Sequence, residues 1–426
     1  MVEIKPFRGL RYNPQYARPG VFAPPYDVID YELKKQLLQR DPYNVVRLIL
    51  KSDDSQENWH QAAAQTLHRW ITQRILIQDQ TPALYGYQQT FSLPNDQRRT
   101  RTGFLARILL QPWGQSIHRH EYTRQAPRLD RLKLLRATRT NMSPVFGLYR
   151  DPDQEVLHWL TSREEAPLLS FEDEEHVQHI FWRITHPQAI EAICQTLAKR
   201  EIVIADGHHR YETALAYQKE CREAKGDPPS PQPYDYTLIY LSAAEDPGIC
   251  ILATHRVLGA MSLSEEELLK ALEKSFNLQP VKDQKSLSLE IAREAKRTIA
   301  IGLYLPKTGK WILKLKDKRR AIQSLQRFLP SELAELDVVI LQRLILEPLL
   351  GLPPHVLSTT DHVSYTIDEN KAAEMVRTGQ AKAAFILNPT RIDQVWTAAV
   401  HDIPMPPTST YFYPKLLTGL VFNPLY

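Results

Sequence analysis

Residues 201–221 read Glu-Ile-Val-Ile-Ala-Asp-Gly-His-His-Arg-Tyr-Glu-Thr-Ala-Leu-Ala-Tyr-Gln-Lys-Glu-Cys, and this stretch decides the fold. Ile202, Val203 and Ile204 form a β-branched run, as a buried strand would. Asp206 and Gly207 break that run. From His208 onward Tyr211, Ala214 and Leu215 recur at helical spacing. The reading is a strand, a tight turn and a helix, with one carboxylate, two imidazoles and one guanidinium packed around the turn. A helix start offers backbone N–H groups and the positive end of a dipole, which together attract anions. Gly207 lets an anion approach the backbone, and Arg210 has the fork geometry that grips phosphate. The turn is therefore expected to bind phosphate. The plainer alternative makes Asp206 an ordinary helix cap and the histidines surface residues.

Composition narrows the class. The 426 residues are 43% hydrophobic and 24% charged, which suits a globular chain of two or three domains. Proline outnumbers glycine 31 to 15, so many connections are rigid and extended. The three cysteines, Cys194, Cys221 and Cys250, form no CxxC pair. They suit a reducing compartment, not a disulfide framework or a thiolate zinc site. The first residues contain no apolar signal core and no apolar run is long enough to span a membrane, so a cytoplasmic protein without membrane contact is expected. From Arg98 to Arg139 the sequence carries eleven Lys/Arg against Glu121 and Asp130. Such a band suits an anionic partner: a nucleotide, a phosphorylated metabolite, or, less well given the few interleaved aromatics, nucleic acid.

The pattern alternates helices and strands, the signature of an α/β or α+β fold. Helices are expected over Tyr31–Arg40, Gln56–Gln78, Leu129–Arg139, Pro187–Lys199 and Ser264–Phe276, and an apolar one over Leu333–Leu350. Strands are expected over Val45–Leu50, Ala83–Phe91, Arg101–Gln111, Val145–Tyr149, His176–Ile184, Tyr236–Leu241 and Ile249–Ala253. A hairpin turn is expected at Pro94-Asn95-Asp96 and a second hairpin at Thr298–Leu305/Lys310–Leu315. A domain boundary is placed between residues 257 and 258, giving 1–257 and 258–426. The tail segment Met405–Lys415 reads as a packed strap or a site-closing loop.

Other chemistry is sparse. GxxxxGK[ST], GxGxxG and GxSxG are all absent. His118 and His120, two apart, face one way on a strand, with Glu121 adjacent; this is a weak metal signal, and no dedicated metal site is expected. Magnesium carried by a nucleotide needs only one or two carboxylates, and Asp27, Glu121 and Asp206 are the acids to test. Thr254-His255-Arg256 ends a strand and reads equally as an anion contact or a polar strand end. Asp130-Arg131 reads as a local ion pair.

Five motifs in order carry a family resemblance: Pro-Pro-Tyr-Asp-Val-Ile (24–29), His-Glu-Tyr-Thr (120–123) with Asp130-Arg131, Asp-Gly-His-His-Arg-Tyr (206–211), Thr-His-Arg (254–256) and Ser-Thr-Tyr-Phe-Tyr-Pro-Lys (409–415). Together they resemble the bacterial family catalogued as domain of unknown function 1015. That family commonly has Lys where this chain has Thr408. Its Asp-Gly-His-His-Arg turn is similar to the phosphate-binding turn of the ParB/sulfiredoxin superfamily. Sulfiredoxins place a catalytic cysteine where His208 stands, so sulfinic-acid reduction is not expected. The turn of the ParB-like free-serine kinases is more similar. The resemblance implies a ParB/sulfiredoxin-like mixed-sheet core with an added C-terminal α+β domain. It also implies a phosphotransferase using ATP or ADP with Mg2+ on a small hydroxyl compound, free serine first. Gly207, His208, His209 and Arg210 would hold the nucleotide. Asp206, His208, His209, Asp27 and Glu121 are the catalytic candidates, and Arg131, Thr254, His255, Arg256 and Lys415 the substrate-binding ones. The alternatives are a phosphatase of a phosphorylated metabolite and a ParB-like nucleotide switch on nucleic acid.

Overall fold

The computed structural model describes all residues except 52–57, 94–96, 122, 124, 163–165, 282–285 and 354–361. The expected turn at 94–96 and Tyr122 of the second motif therefore lie outside the described residues. The chain forms two compact units: residues 1–119, 123–250 and 414–426 make the first, and residues 120–122 and 251–413 the second.

The first unit is built on a nine-stranded mixed sheet. Its strands are β1 (Ile4–Lys5), β2 (Leu84–Ser92), β3 (Arg98–Leu109), β4 (Ile117–His118), β5 (Val145–Tyr149), β6 (Leu169–Glu172), β7 (Gln178–Ile184), β8 (Ile202–Asp206) and β9 (Tyr236–Ala243). They run in the order β4-β8-β5-β9-β3-β2-β7-β6, with β1 beside β3. The β4–β8 and β5–β9 pairs are parallel; the rest are antiparallel. Its main helices are α1 (Tyr31–Arg40), α2 (Trp59–Thr72), α3 (Gln125–Thr138), α4 (Pro187–Ala198) and α5 (His208–Ala224). Ile202, Ile204, Val145, Ile239 and Leu241 of the sheet are fully buried with Ile193 and Leu197 of α4 and Tyr211 of α5. Two-sided covering explains why β5, β8 and β9 read as continuous apolar runs. The last residues lace back through this unit, where Asn423 and Pro424 pair with Asn141 and Thr140.

The second unit holds a six-stranded antiparallel sheet: β10 (His255–Leu258), β11 (Phe276–Val281), β12 (Ala300–Leu305), β13 (Gly309–Leu315), β14 (Val363–Thr366) and β15 (Ala383–Ile386), ordered β11-β13-β12-β15-β10-β14. The expected hairpin is β12–β13. The mixed α/β class expected from the sequence is the one observed.

Three expectations change. Val45–Leu50 is not a strand; Val46–Ile49 is a helical turn. The Asp41 and Asn44 carboxylate and amide oxygens accept the Tyr43 and Val46 N–H groups, and these local bonds outcompete strand pairing. The helix expected to reach Gln78 stops at Thr72. Arg74 adopts φ +57°, and Leu76–Gln78 pairs with Leu10–Tyr12 instead. The apolar helix expected over Leu333–Leu350 forms over Asp337–Leu350, with a π-helical turn at Gln342–Leu346, and is separated from the short turn Ser331–Ala334 by residues 335 and 336. Pro348 has no N–H for the carbonyl four residues back, and the turn ahead of it widens.

Candidate functional site

In the first unit β8 ends at Asp206, Gly207 turns the chain at φ +90°, and α5 begins at His208. Gly207, not Asp206, is the N-cap. A Cβ at Gly207 would lie 2.9 Å from the Arg210 guanidinium carbon, so the turn needs glycine for both its backbone conformation and its clearance.

Asp206 organises the turn. Its Oδ2 accepts from Arg210 at 2.6 Å, and its Oδ1 accepts from Lys415 Nζ at 2.9 Å. Side-chain exposure is 21% for Asp206, 9% for Arg210 and 13% for Lys415, so the triad is largely screened from solvent. Burial opposes ionisation of Asp206. Lys415 and Arg210 outweigh it and, with His208, hold the carboxyl well below the usual carboxylate range. Arg210 also donates to the Pro144 carbonyl. His208 is buried near Trp113, and His209 is partly exposed.

Behind the turn lies a cavity of about 70 Å³, bordered by Tyr26, Arg131, Asn141, Ser143, Arg210 and Thr213. Thr213 Oγ1 is buried there without a hydrogen-bond partner. Arg131 is fixed between the rings of Tyr26 (4.3 Å) and Trp59 (5.4 Å). It donates to the Ile49 carbonyl at 2.6 Å and to Asp130 at 2.5 Å, so the local ion pair read from sequence does form. Tyr26 opens the short helical turn Tyr26–Val28. Burial pushes its phenol up to about 12, Asp27 and Asp206 add to that, and Arg210 and Arg131 oppose it. Asp27 itself is exposed and has no hydrogen bond or ion pair among the described residues.

Several contributors were not legible in advance. Glu212, one helical turn beyond His208, accepts from Thr123 and Arg128 and pairs with Arg119 at 3.5 Å. Tyr26 and the fully buried Arg101 were also missed. The adjacent Asp206-to-Glu212 run held the signal for Glu212; nothing local marked Arg101.

Much of the basic band is committed internally. Arg98 bonds Gln178, Arg99 the Pro247 carbonyl and Arg136 Glu220, while Arg107 lies over Tyr236.

Most of the remaining candidates lie in the second unit. Glu121 Oε1 accepts the Thr408 N–H at 3.1 Å, and Thr408 has φ +56°. His120 meets Thr410 at 3.0 Å. His118, in the first unit, lies 3.4 Å from Glu201. Among the described residues no group of three or more His, Cys, Asp or Glu is placed to hold a metal ion. Thr254, His255 and Arg256 are buried; they do not end a strand as expected, since Cys250–Leu252 stops before them and His255 opens β10. His255 Nδ1 accepts the Leu387 N–H at 3.3 Å, and burial lowers its pKa to about 4, so the ring is neutral. Arg256 spends its donors on the carbonyls of Thr254 and Pro407 and lies over Tyr365 at 5.2 Å. Burial brings its pKa down to about 10. No helix among the described residues is long and apolar enough to cross a membrane.

Residues 4–339 match the family described as protein of unknown function DUF1015, and the chain belongs to that family. No curated protein matches the sequence. Solved structures similar to it include a conserved hypothetical protein from Pyrococcus furiosus, at 10% identity and TM-score 0.33, covering 74% of this chain and 92% of that one. A free serine kinase in complex with AMP is 10% identical with TM-score 0.32, covering 73% and 86%. SbnI with a C-terminal truncation from Staphylococcus aureus is 11% identical with TM-score 0.32, covering 75% and 87%. At such scores the likeness assigns no activity.

Proposed function

We propose that this protein is a nucleotide-dependent phosphotransferase acting on a small hydroxyl metabolite, with free serine the first acceptor to test and ATP or ADP with Mg2+ the donor. The observation that carries the reading is the meeting of Arg210 and Lys415 on Asp206 at the foot of a 17-residue helix. Two cations, a glycine at positive φ and a helix N-terminus make a socket for phosphoryl oxygens. In the resting state Asp206 takes the place of that anion and keeps both cations aimed at the turn. The Gly207 backbone would cradle the phosphate, while His208, His209, Arg210 and Lys415 would offset charge developing on the transferred group.

The acceptor oxygen attacks the terminal phosphorus of the nucleotide, the shortened nucleotide leaves, and the hydroxyl proton passes to a carboxylate. Asp27 suits that role best, because no partner among the described residues occupies it and it shares the environment of Tyr26 with Asp206 and Arg210. Glu121 is already bonded to the Thr408 backbone. The small cavity beside Arg131 and Arg210 favours a compact acceptor. The internal commitment of the basic band favours a small molecule over nucleic acid.

The test is phosphorus NMR on protein mixed with ATP or ADP, Mg2+ and serine. A phosphoserine resonance that depends on nucleotide is the expected result. Inorganic phosphate released from a phosphorylated metabolite without nucleotide would overturn it in favour of a phosphatase.

A further inference from the structure

Arg101 sits in the middle of β3 and is fully buried. A buried guanidinium is costly unless its donors are satisfied. Here the sheet spends that charge on the C-terminal tail. The Arg101 terminal nitrogen donates to the Pro414 carbonyl at 2.6 Å and to Gln89 Oε1. The guanidinium is stacked 4.9 Å from Phe146 and 5.9 Å from Tyr240, which fixes its plane.

Its neighbours on the sheet serve the same segment. Gln89 is the cross-strand partner of Arg101 in the β2–β3 ladder, and its amide donates to the Lys415 carbonyl at 3.0 Å. Tyr87, two residues earlier and so on the same face, meets His179 at 2.8 Å. Two cross-strand side chains thus hold the carbonyls of Pro414 and Lys415. The side chain at the second of those anchors is that of Lys415, whose Nζ lies 2.9 Å from Asp206.

We infer that Arg101, acting through the Pro414 carbonyl with Gln89 beside it, is the positioning residue that sets Lys415 in the Asp206–Arg210 socket. Arg101 determines where the Lys415 ammonium stands. The functional consequence rests on the phosphotransferase reading; the placement of Lys415 does not.

Two measurements separate these. The first is reductive methylation of the full-length protein, read lysine by lysine by mass spectrometry. In Arg101→Met the labelling rate of Lys415 rises about tenfold, the value of one charge-assisted hydrogen bond. Lys314, paired with Glu294 at 2.8 Å in the second unit, keeps its rate and is the internal control. The second is calorimetric titration with ADP and Mg2+. Arg101→Met and Lys415→Met weaken binding equally, and the double variant is no weaker than either, as expected of residues acting as one unit. Arg101→Lys, which keeps the charge but loses the fork, falls between wild type and Arg101→Met in both measurements. If Arg101→Met does not fold, the raised Lys415 labelling must still appear in Arg101→Lys. Unchanged Lys415 labelling in a folded variant, or additive losses in the double variant, would overturn the inference. Wild-type protein that binds no ADP would overturn the phosphotransferase reading while the labelling result still decides the placement.

Discussion

Two stretches place a histidine beside an arginine at the edge of a strand, and the fold treats them in opposite ways. At His209–Arg210 the guanidinium meets a carboxylate, a second cation approaches, and a cavity opens behind it. At His255–Arg256 both side chains are buried on backbone groups. The imidazole loses its charge there, while the guanidinium keeps its own but is buried, with both terminal nitrogens donating to backbone carbonyls. The difference teaches that a cationic residue type is not an anion site. What matters is whether the fold leaves its donors pointed at a place a ligand can reach.

The sharpest way to break this comparison is a matched pair of variants. Arg210→Ala should lower affinity for ADP with Mg2+ by about 100-fold or more, the loss of two charge-assisted hydrogen bonds. Arg256→Leu should leave that affinity unchanged and cost about 1–3 kcal/mol of stability, since it strips donors from buried carbonyls. Calorimetry and urea denaturation read the two effects. Equal losses of affinity would erase the distinction.

A pH series sharpens it further. The folded-state pKa of His255 lies at about 4, below the ordinary 6.5, so the unfolded chain binds its proton first on acidification. The stability it contributes is complete above pH 6.5 and is lost as pH falls toward 4, on the order of 3 kcal/mol in all. His255→Gln should flatten the urea midpoint over that window. Asp206 is depressed instead, below its ordinary 3.8. Its stabilising effect is present above that value and is lost only at stronger acidity, so Asp206→Asn should lower the urea midpoint throughout the range above 3.8 and remove the fall below it.

The smallest effect is expected at Gly207. Gly207→Ala forces a Cβ into φ +90° and against the Arg210 guanidinium. It should cost about 1–2 kcal/mol in urea denaturation and weaken ADP binding only through displacement of Arg210. An alanine variant as stable as wild type would mean that the turn relaxes freely.

The strand–turn–helix was legible because its signals are local. A β-branched run, a glycine and a helical period follow one another within twenty residues, and β8 and α5 formed where that pattern placed them. The apolar run at Val45–Leu50 misled because apolarity reports burial and not backbone geometry; side-chain bonds from Asp41 and Asn44 settled it. The run at Leu333–Leu350 read correctly as helix over Asp337–Leu350, and the missing N–H of Pro348 marks the π-helical turn ahead of it. The clasp on the tail was illegible for a different reason. Arg101 and Pro414 are 313 residues apart, and Lys415 and Asp206 are 209 apart. Nothing in either segment alone tells which partner the fold will bring. The fate of His255 was hidden in the same way, since a strand end in sequence can finish in water or in a core.

The most direct test of the socket follows backbone amide resonances of isotope-labelled protein as ADP and Mg2+ are added. The account requires saturable shifts at Gly207, His208 and His209, with the amides of Thr254, His255 and Arg256 unmoved. Saturable binding that leaves the Gly207–His209 amides where they were would contradict it.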